Sequence, residues 1–129
     1  MQKYILNYSL YVAVGWTAVI FMLCSAPGSY IPSSLWLELL SVDKLVHASI
    51  FFTLMIVWQV HFFKNQPPVL YKALLILGAC VLYGGLLEIM QATLFSQRSA
   101  DWLDFTANTV GCVLGLVFYN NIVKKILSY

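Results

Sequence analysis

Apolar residues run in four long stretches, Ile5 to Ala26, Leu45 to Phe63, Val69 to Leu94 and Trp102 to Val123, separated by short polar breaks. Each offers the roughly 17 to 25 residues a helix needs to cross about 30 Å of hydrocarbon. No strand-like alternation is present. In lipid, a chain this apolar has to satisfy its backbone hydrogen bonds within each segment, which a helix does. The pattern predicts an all-α fold: a polytopic membrane protein with one domain over 1–129, built as a four-transmembrane-helix bundle with helices at about 5–26, 43–63, 69–95 and 101–123.

The breaks carry turn chemistry. Ala26-Pro27-Gly28-Ser29 ends the first run, Asn65-Gln66-Pro67-Pro68 parts the second from the third, and Ser96-Gln97-Arg98-Ser99 parts the third from the fourth. Ser33 to Ser41, with Trp36 and Glu38 among leucines, is too short to span and is expected to lie at an interface. If the N-terminus is cytoplasmic, Lys3, Lys64, Lys72, Lys124 and Lys125 all fall inside, leaving Lys44 and Arg98 outside. Both termini are then expected to be cytoplasmic in a bacterial inner membrane. The first stretch is long for a removed signal peptide and lacks a small-residue cleavage site.

Composition agrees with the pattern. The chain is 61% hydrophobic and 9% charged, and 7 basic and 5 acidic residues could not cover a soluble surface. A net charge of +2 with scattered lysines leaves no nucleic-acid footprint, so no nucleic-acid partner is expected. Cys24, Cys80 and Cys112 sit inside apolar runs without CxxC spacing, and read as small hydrophobes in helix packing. Trp36, Trp102 and Tyr30 read as interfacial anchors, and His61 as a boundary residue at the cytoplasmic end.

The same topology sends Glu38, Asp43, Glu88, Asp101 and Asp104 to the outer end, although the orientation was argued from Lys and Arg alone. At about 100° per residue, Asp43 and His47 share a face with Lys44 beside them, and Gly84, Glu88 and Gln91 share another. Asp101, Asp104, Asn108, Gly111 and Gly115 fall within an arc of roughly 80°. An ionisable group inside a bilayer costs on the order of 3 kcal/mol, so such residues turn into the bundle and find partners. Glu88 lies about two turns inside its helix by this pitch, and Arg98, with its two-pronged guanidinium, is its expected cation.

Simpler readings cover part of this set. Ser99 or Asp101 could cap the fourth helix, Asp104 suits its dipole, and Asp43 could cap the second. Gly111-x-x-x-Gly115 reads as a close-packing face. Capping does not account for His47, Glu88, Gln91 or Asn108, and an outward-facing polar pocket between helices two, three and four is expected.

In order, the pieces are Asp43-Lys44-x-x-His47, Gly84-x-x-x-Glu88-x-x-Gln91, and Arg98-x-x-Asp101-x-x-Asp104-x-x-x-Asn108-x-x-Gly111-x-x-x-Gly115. This order resembles the VanZ-like family of small bacterial membrane proteins, over roughly Ser25 to Tyr119. The resemblance implies a four-helix cell-membrane protein and an association with lowered susceptibility to the glycopeptide antibiotic teicoplanin. It carries Asp43, Lys44, His47, Glu88, Gln91, Arg98, Asp101, Asp104 and Asn108 over as site residues without catalytic roles.

Three functions compete. The first is a binding or modulating protein whose pocket engages a cell-envelope component: a lipid-linked precursor head group or a lipophilic glycopeptide, with membrane lipids as the surrounding partner. The second is a membrane-embedded enzyme acting on a lipid-linked or phospholipid head group. There a carboxylate near His47 would act as base and Glu88 as acid, or Asp43, His47, Glu88 and Asp104 would hold a divalent metal. No serine or cysteine nucleophile motif accompanies it, and no cofactor other than that metal is expected. The third is a structural or assembly subunit. Transport is disfavoured, since no inverted repeat is visible.

Overall fold

The computed structural model describes residues 2–25, 42–94 and 102–127. The expected interfacial segment at Ser33 to Ser41, with Glu38, lies outside them, as do Arg98 and Asp101. The described elements are α1 (Gln2–Asn7), α2 (Ser9–Ser25), α3 (Val42–Phe63), α4 (Leu70–Thr93), α5 (Trp102–Phe118), a π-helical turn (Tyr119–Val123) and α6 (Lys124–Ile126). The bonds Tyr8 N–H to Tyr4 O and Val12 N–H to Tyr8 O, both 3.1 Å, carry the helical pattern across Tyr8, so α1 and α2 form one rod. The described residues thus form a bundle of four helical rods.

Three of them are long and apolar enough to cross a membrane: Asp43–Phe63 with 21 residues, Leu70–Thr93 with 24 and Trp102–Ile126 with 25. At 1.5 Å per residue the shortest reaches about 32 Å. α2 is a shorter apolar helix. Pro67-Pro68 keeps the chain extended ahead of α4, and Val69 is still β-like at φ −110°, ψ 130°. The fourth rod runs past the expected end at Val123, because Lys124 and Lys125 suit the negative end of a helix and do not terminate it.

Polarity is arranged as lipid demands. Ser9, Gln59, Glu88, Gln91 and Asn108 are buried, while Leu45, Leu75, Leu82, Leu86, Ile89 and Leu114 face outward. α3 is central and packs on α2, α4 and α5, with its most extensive interface against α5. That closeness depends on two glycines. A Cβ on Gly111 would stand 2.1 Å from the backbone oxygen of Ala48, and one on Gly115 would stand 2.8 Å from both Met55 Cβ and Phe52 O. The pair Gly111-x-x-x-Gly115 therefore lays two helix backbones against each other, where dispersion and packing replace the hydrophobic effect as glue.

Polar tips tie the remaining rods. Trp16 Nε1 donates to Ile50 O at 2.9 Å, Trp58 Nε1 to Thr17 Oγ1 at 3.1 Å, and Tyr83 Oη to Thr17 O at 2.7 Å. Gln59 Nε2 lies 3.3 Å from both Met55 O and Gly115 O. Lys64 Nζ reaches Leu6 O at 3.2 Å and Ser9 Oγ at 3.3 Å, and Phe63 packs on Tyr119. The start of the first rod, the end of α3 and the end of the fourth rod therefore share one end of the bundle.

Candidate functional site

The opposite end collects the acids among the described residues, Asp43, Glu88 and Asp104. α3 opens with Asp43 and Lys44 in its first turn, and Lys44 Nζ lies 3.0 Å from Asp43 Oδ2. The same ammonium donates to Asp104 Oδ1 in the first turn of α5, joining two helices by a charge-assisted bond. One turn deeper, His47 Nδ1 stands 3.1 Å from Asn108 Oδ1. An amide oxygen only accepts, so Nδ1 carries the proton and donates. The other ring nitrogen, Nε2, faces Asp104 Oδ2 at 3.7 Å, beyond hydrogen-bond range.

α4 supplies Glu88, only 7% exposed. One ligand atom from each of His47, Glu88 and Asp104 lies within 4.8 Å of the others, so three helices point unlike groups at one spot. Gly84, one turn before Glu88, makes room: a Cβ there would meet Phe51 Cε1 at 3.1 Å and Asn108 Nδ2 at 3.4 Å. Bare backbone at this point lets α4 approach both neighbours.

Asp43, Lys44, His47, Glu88, Asp104 and Asn108 are thus brought to one end, with Asp43 at the rim and half exposed. Gln91 is placed differently from the expected stripe. Its Nε2 donates to Cys24 O at 3.2 Å, so it ties α4 to the end of α2. Arg98, the expected partner of Glu88, and Asp101 lie outside the described residues, and Lys44 is engaged by Asp43 and Asp104. Asp43 follows Val42 inside the helix and so is not its cap.

The matching profile of known families is VanZ/LLP1, over residues 5–124. This chain belongs to the VanZ/LLP1 family. No curated protein and no solved structure matches it. The VanZ/LLP1 region includes every residue of the converging set, from Asp43 to Asn108, as well as both packing glycines.

Other features of this VanZ/LLP1 chain carry little signal in sequence. A groove of about 440 Å³, lined by Thr17, Leu54, Trp58, Phe62, Ile76 and Tyr83 among others, runs through apolar surroundings away from the polar end. Thr17, Trp58 and Tyr83 are joined there by polar tips on otherwise apolar side chains. At the basic end, Ser9 Oγ lies 3.2 Å from His61 Nδ1, so His61 is tied between rods and is more than a boundary residue.

Proposed function

We propose that this VanZ/LLP1 protein is a multi-pass component of the bacterial cytoplasmic membrane whose polar end faces outward and binds the head group of a lipid-linked cell-envelope component. Five lysines at the other end suit the cytoplasmic side by the positive-inside rule, which puts both termini inside. The observation that carries the reading is the convergence of His47, Glu88 and Asp104 from three helices just inside the end of an otherwise apolar bundle. Such a cluster is costly in lipid and is expected to mark a ligand site. Lys44 offers a donor to phosphate, while Asp43 and Asp104 offer acceptors to sugar hydroxyls or amines. The site therefore suits a phosphosugar or zwitterionic head group at the bilayer surface.

The test is binding of lipid-linked precursor to purified protein in nanodiscs. Lys44→Ala and Asp104→Asn are each expected to weaken binding at least about tenfold, the scale of a charged hydrogen bond. Absence of binding by folded wild-type protein refutes the reading. A contribution to teicoplanin tolerance belongs to the same proposal. Expression in a susceptible strain raises the inhibitory concentration, and His47→Ala abolishes the rise.

A second reading, an enzyme acting on that head group, is favoured by the orientation of His47, whose Nδ1 is held by Asn108 while Nε2 faces Asp104 in a cluster that also contains Glu88. Turnover of lipid-linked phosphate that disappears in both His47→Ala and Glu88→Gln would select it.

A further inference from the structure

We infer that His47, Glu88 and Asp104 hold one divalent transition-metal ion, and that its open coordination positions take a phosphate oxygen of the bound head group. This rests on the reading of the cluster as a ligand site and specifies how that ligand is held.

The donor set comes first. One imidazole nitrogen and two carboxylates from α3, α4 and α5 converge within 4.8 Å. In a zinc site, ligand bonds of about 2.0 to 2.2 Å place neighbouring donors roughly 3.4 Å apart. Binding would close the widest pair by up to about 1.4 Å through side-chain torsions of Glu88 and Asp104. A nitrogen ligand favours zinc, manganese or iron over calcium and magnesium, which prefer all-oxygen shells. Three protein ligands leave at least one position open, as in catalytic zinc centres.

The orientation of His47 is the independent observation. Its Nδ1–H donates to Asn108 Oδ1, and Asn108 is itself buried. Nε2 therefore faces Asp104 Oδ2, across 3.7 Å. That separation is too long for a good hydrogen bond and close to the roughly 3.4 Å between neighbouring ligands of one zinc ion. An outer-shell carbonyl that fixes the tautomer and aims the other nitrogen is the usual companion of a metal-bound histidine. Asp104 has matching support, since Lys44 occupies Oδ1 and leaves Oδ2 turned to the ring. The Gly111 contact with Ala48 holds α3 and α5 together one turn deeper, so the donors stand on rigid elements.

The experiment uses the full chain in detergent, stripped with EDTA and titrated with Zn²⁺ by calorimetry and with Co²⁺ by visible absorption. One ion per chain is expected, with Co²⁺ bands of a low-coordinate nitrogen and oxygen site. His47→Ala loses the bands and weakens Zn²⁺ binding at least about a hundredfold; Asn108→Ala weakens it by about 10 to 100-fold, and Asn108→Asp restores it. If His47→Ala fails to fold by circular dichroism, the two Asn108 variants decide. The inference is overturned if wild type binds Zn²⁺ no more tightly than Asn108→Ala, or if the Co²⁺ spectrum is that of the hexa-aquo ion. Head-group binding is measured separately in EDTA. Binding that persists there, with no Zn²⁺ taken up, overturns the metal while leaving the head-group reading standing; Zn²⁺ uptake without head-group binding does the reverse.

Discussion

Gly111→Ala is the substitution on which packing and site can be tested together. The added Cβ would stand 2.1 Å from Ala48 O and 3.0 Å from Ala48 Cα, and both are backbone atoms that cannot rotate away. Ordinary contact begins near 3.4 Å, so α3 and α5 must part by about 1.3 Å there. A gap of 0.5 to 1 Å already forfeits a quarter to a half of each dispersion contact, and dispersion is the main attraction between helices in lipid. Overpacking of this kind costs about 1 to 3 kcal/mol, and a clash with backbone belongs at the upper end. Alanine gains back about 1 kcal/mol in helix propensity. The net expectation is a loss of about 2 kcal/mol, roughly thirtyfold in the folding equilibrium.

The control is Gly78→Ala, where a Cβ meets nothing within 4 Å, so only the propensity gain of up to about 1 kcal/mol remains. Reversible SDS unfolding in mixed micelles, followed by circular dichroism, measures both variants. The parting also falls one turn from Asn108, so Gly111→Ala is expected to lose head-group binding where Gly78→Ala keeps it. Gly111→Ala as stable as wild type, or shifted equally with Gly78→Ala, would refute the reasoning.

Tyr83→Phe removes the 2.7 Å bond to Thr17 O and is expected to cost about 0.6 kcal/mol in the same unfolding assay, the average for such bonds in membrane bundles. Gln59 is fully buried, and its Oε1 has no hydrogen-bond partner among the described residues. Gln59→Met, which keeps the volume and removes that acceptor, should therefore fall within about 1.5 kcal/mol of wild type, while Gln59→Ala leaves a cavity and loses about 2 to 5 kcal/mol. For the proposed orientation, single cysteines at Asp43 and Lys125 in a background lacking Cys24, Cys80 and Cys112 should divide. Asp43→Cys reacts with an impermeant maleimide from outside intact cells, and Lys125→Cys only after permeabilisation.

The helices were legible because hydrocarbon thickness sets their length, and the close α3–α5 contact because only a glycine pair four apart lets two backbones meet. The pitch of each helix also grouped Asp43 with His47 and Asp104 with Asn108, since residues three and four apart share a face. Pitch gives a face but not the neighbour it meets, which is why Gln91, on the face of Glu88, turns to Cys24 O on the first rod. Lys44 likewise bridges to Asp104, a partner 60 residues away that no local spacing could name. Thr17, Trp58 and Tyr83 left no sequence signal, because indole and phenol count as apolar while their tips carry the bonds between rods. The π turn at Tyr119–Val123 was equally silent, its residues being ordinary in a helix.

Position explains why the polar end can exist at all. His47 precedes Ala48, the residue whose carbonyl Gly111 receives, and Asn108 lies one turn before that glycine. The site and the tightest helix contact are therefore adjacent turns of the same two helices, and each constrains the other. Any side chain at Gly111 would spread the donors before changing their chemistry. Removal of His47 or Asn108 would leave a buried polar partner next to a contact too tight to relax around it, at a cost of about 1 to 3 kcal/mol. Close packing without polar side chains needs only the glycines, and does not account for a histidine oriented by a buried asparagine. A histidine ring held by a buried asparagine, with its other nitrogen facing Asp104 and with Glu88 close by, is the arrangement expected of the proposed cation site.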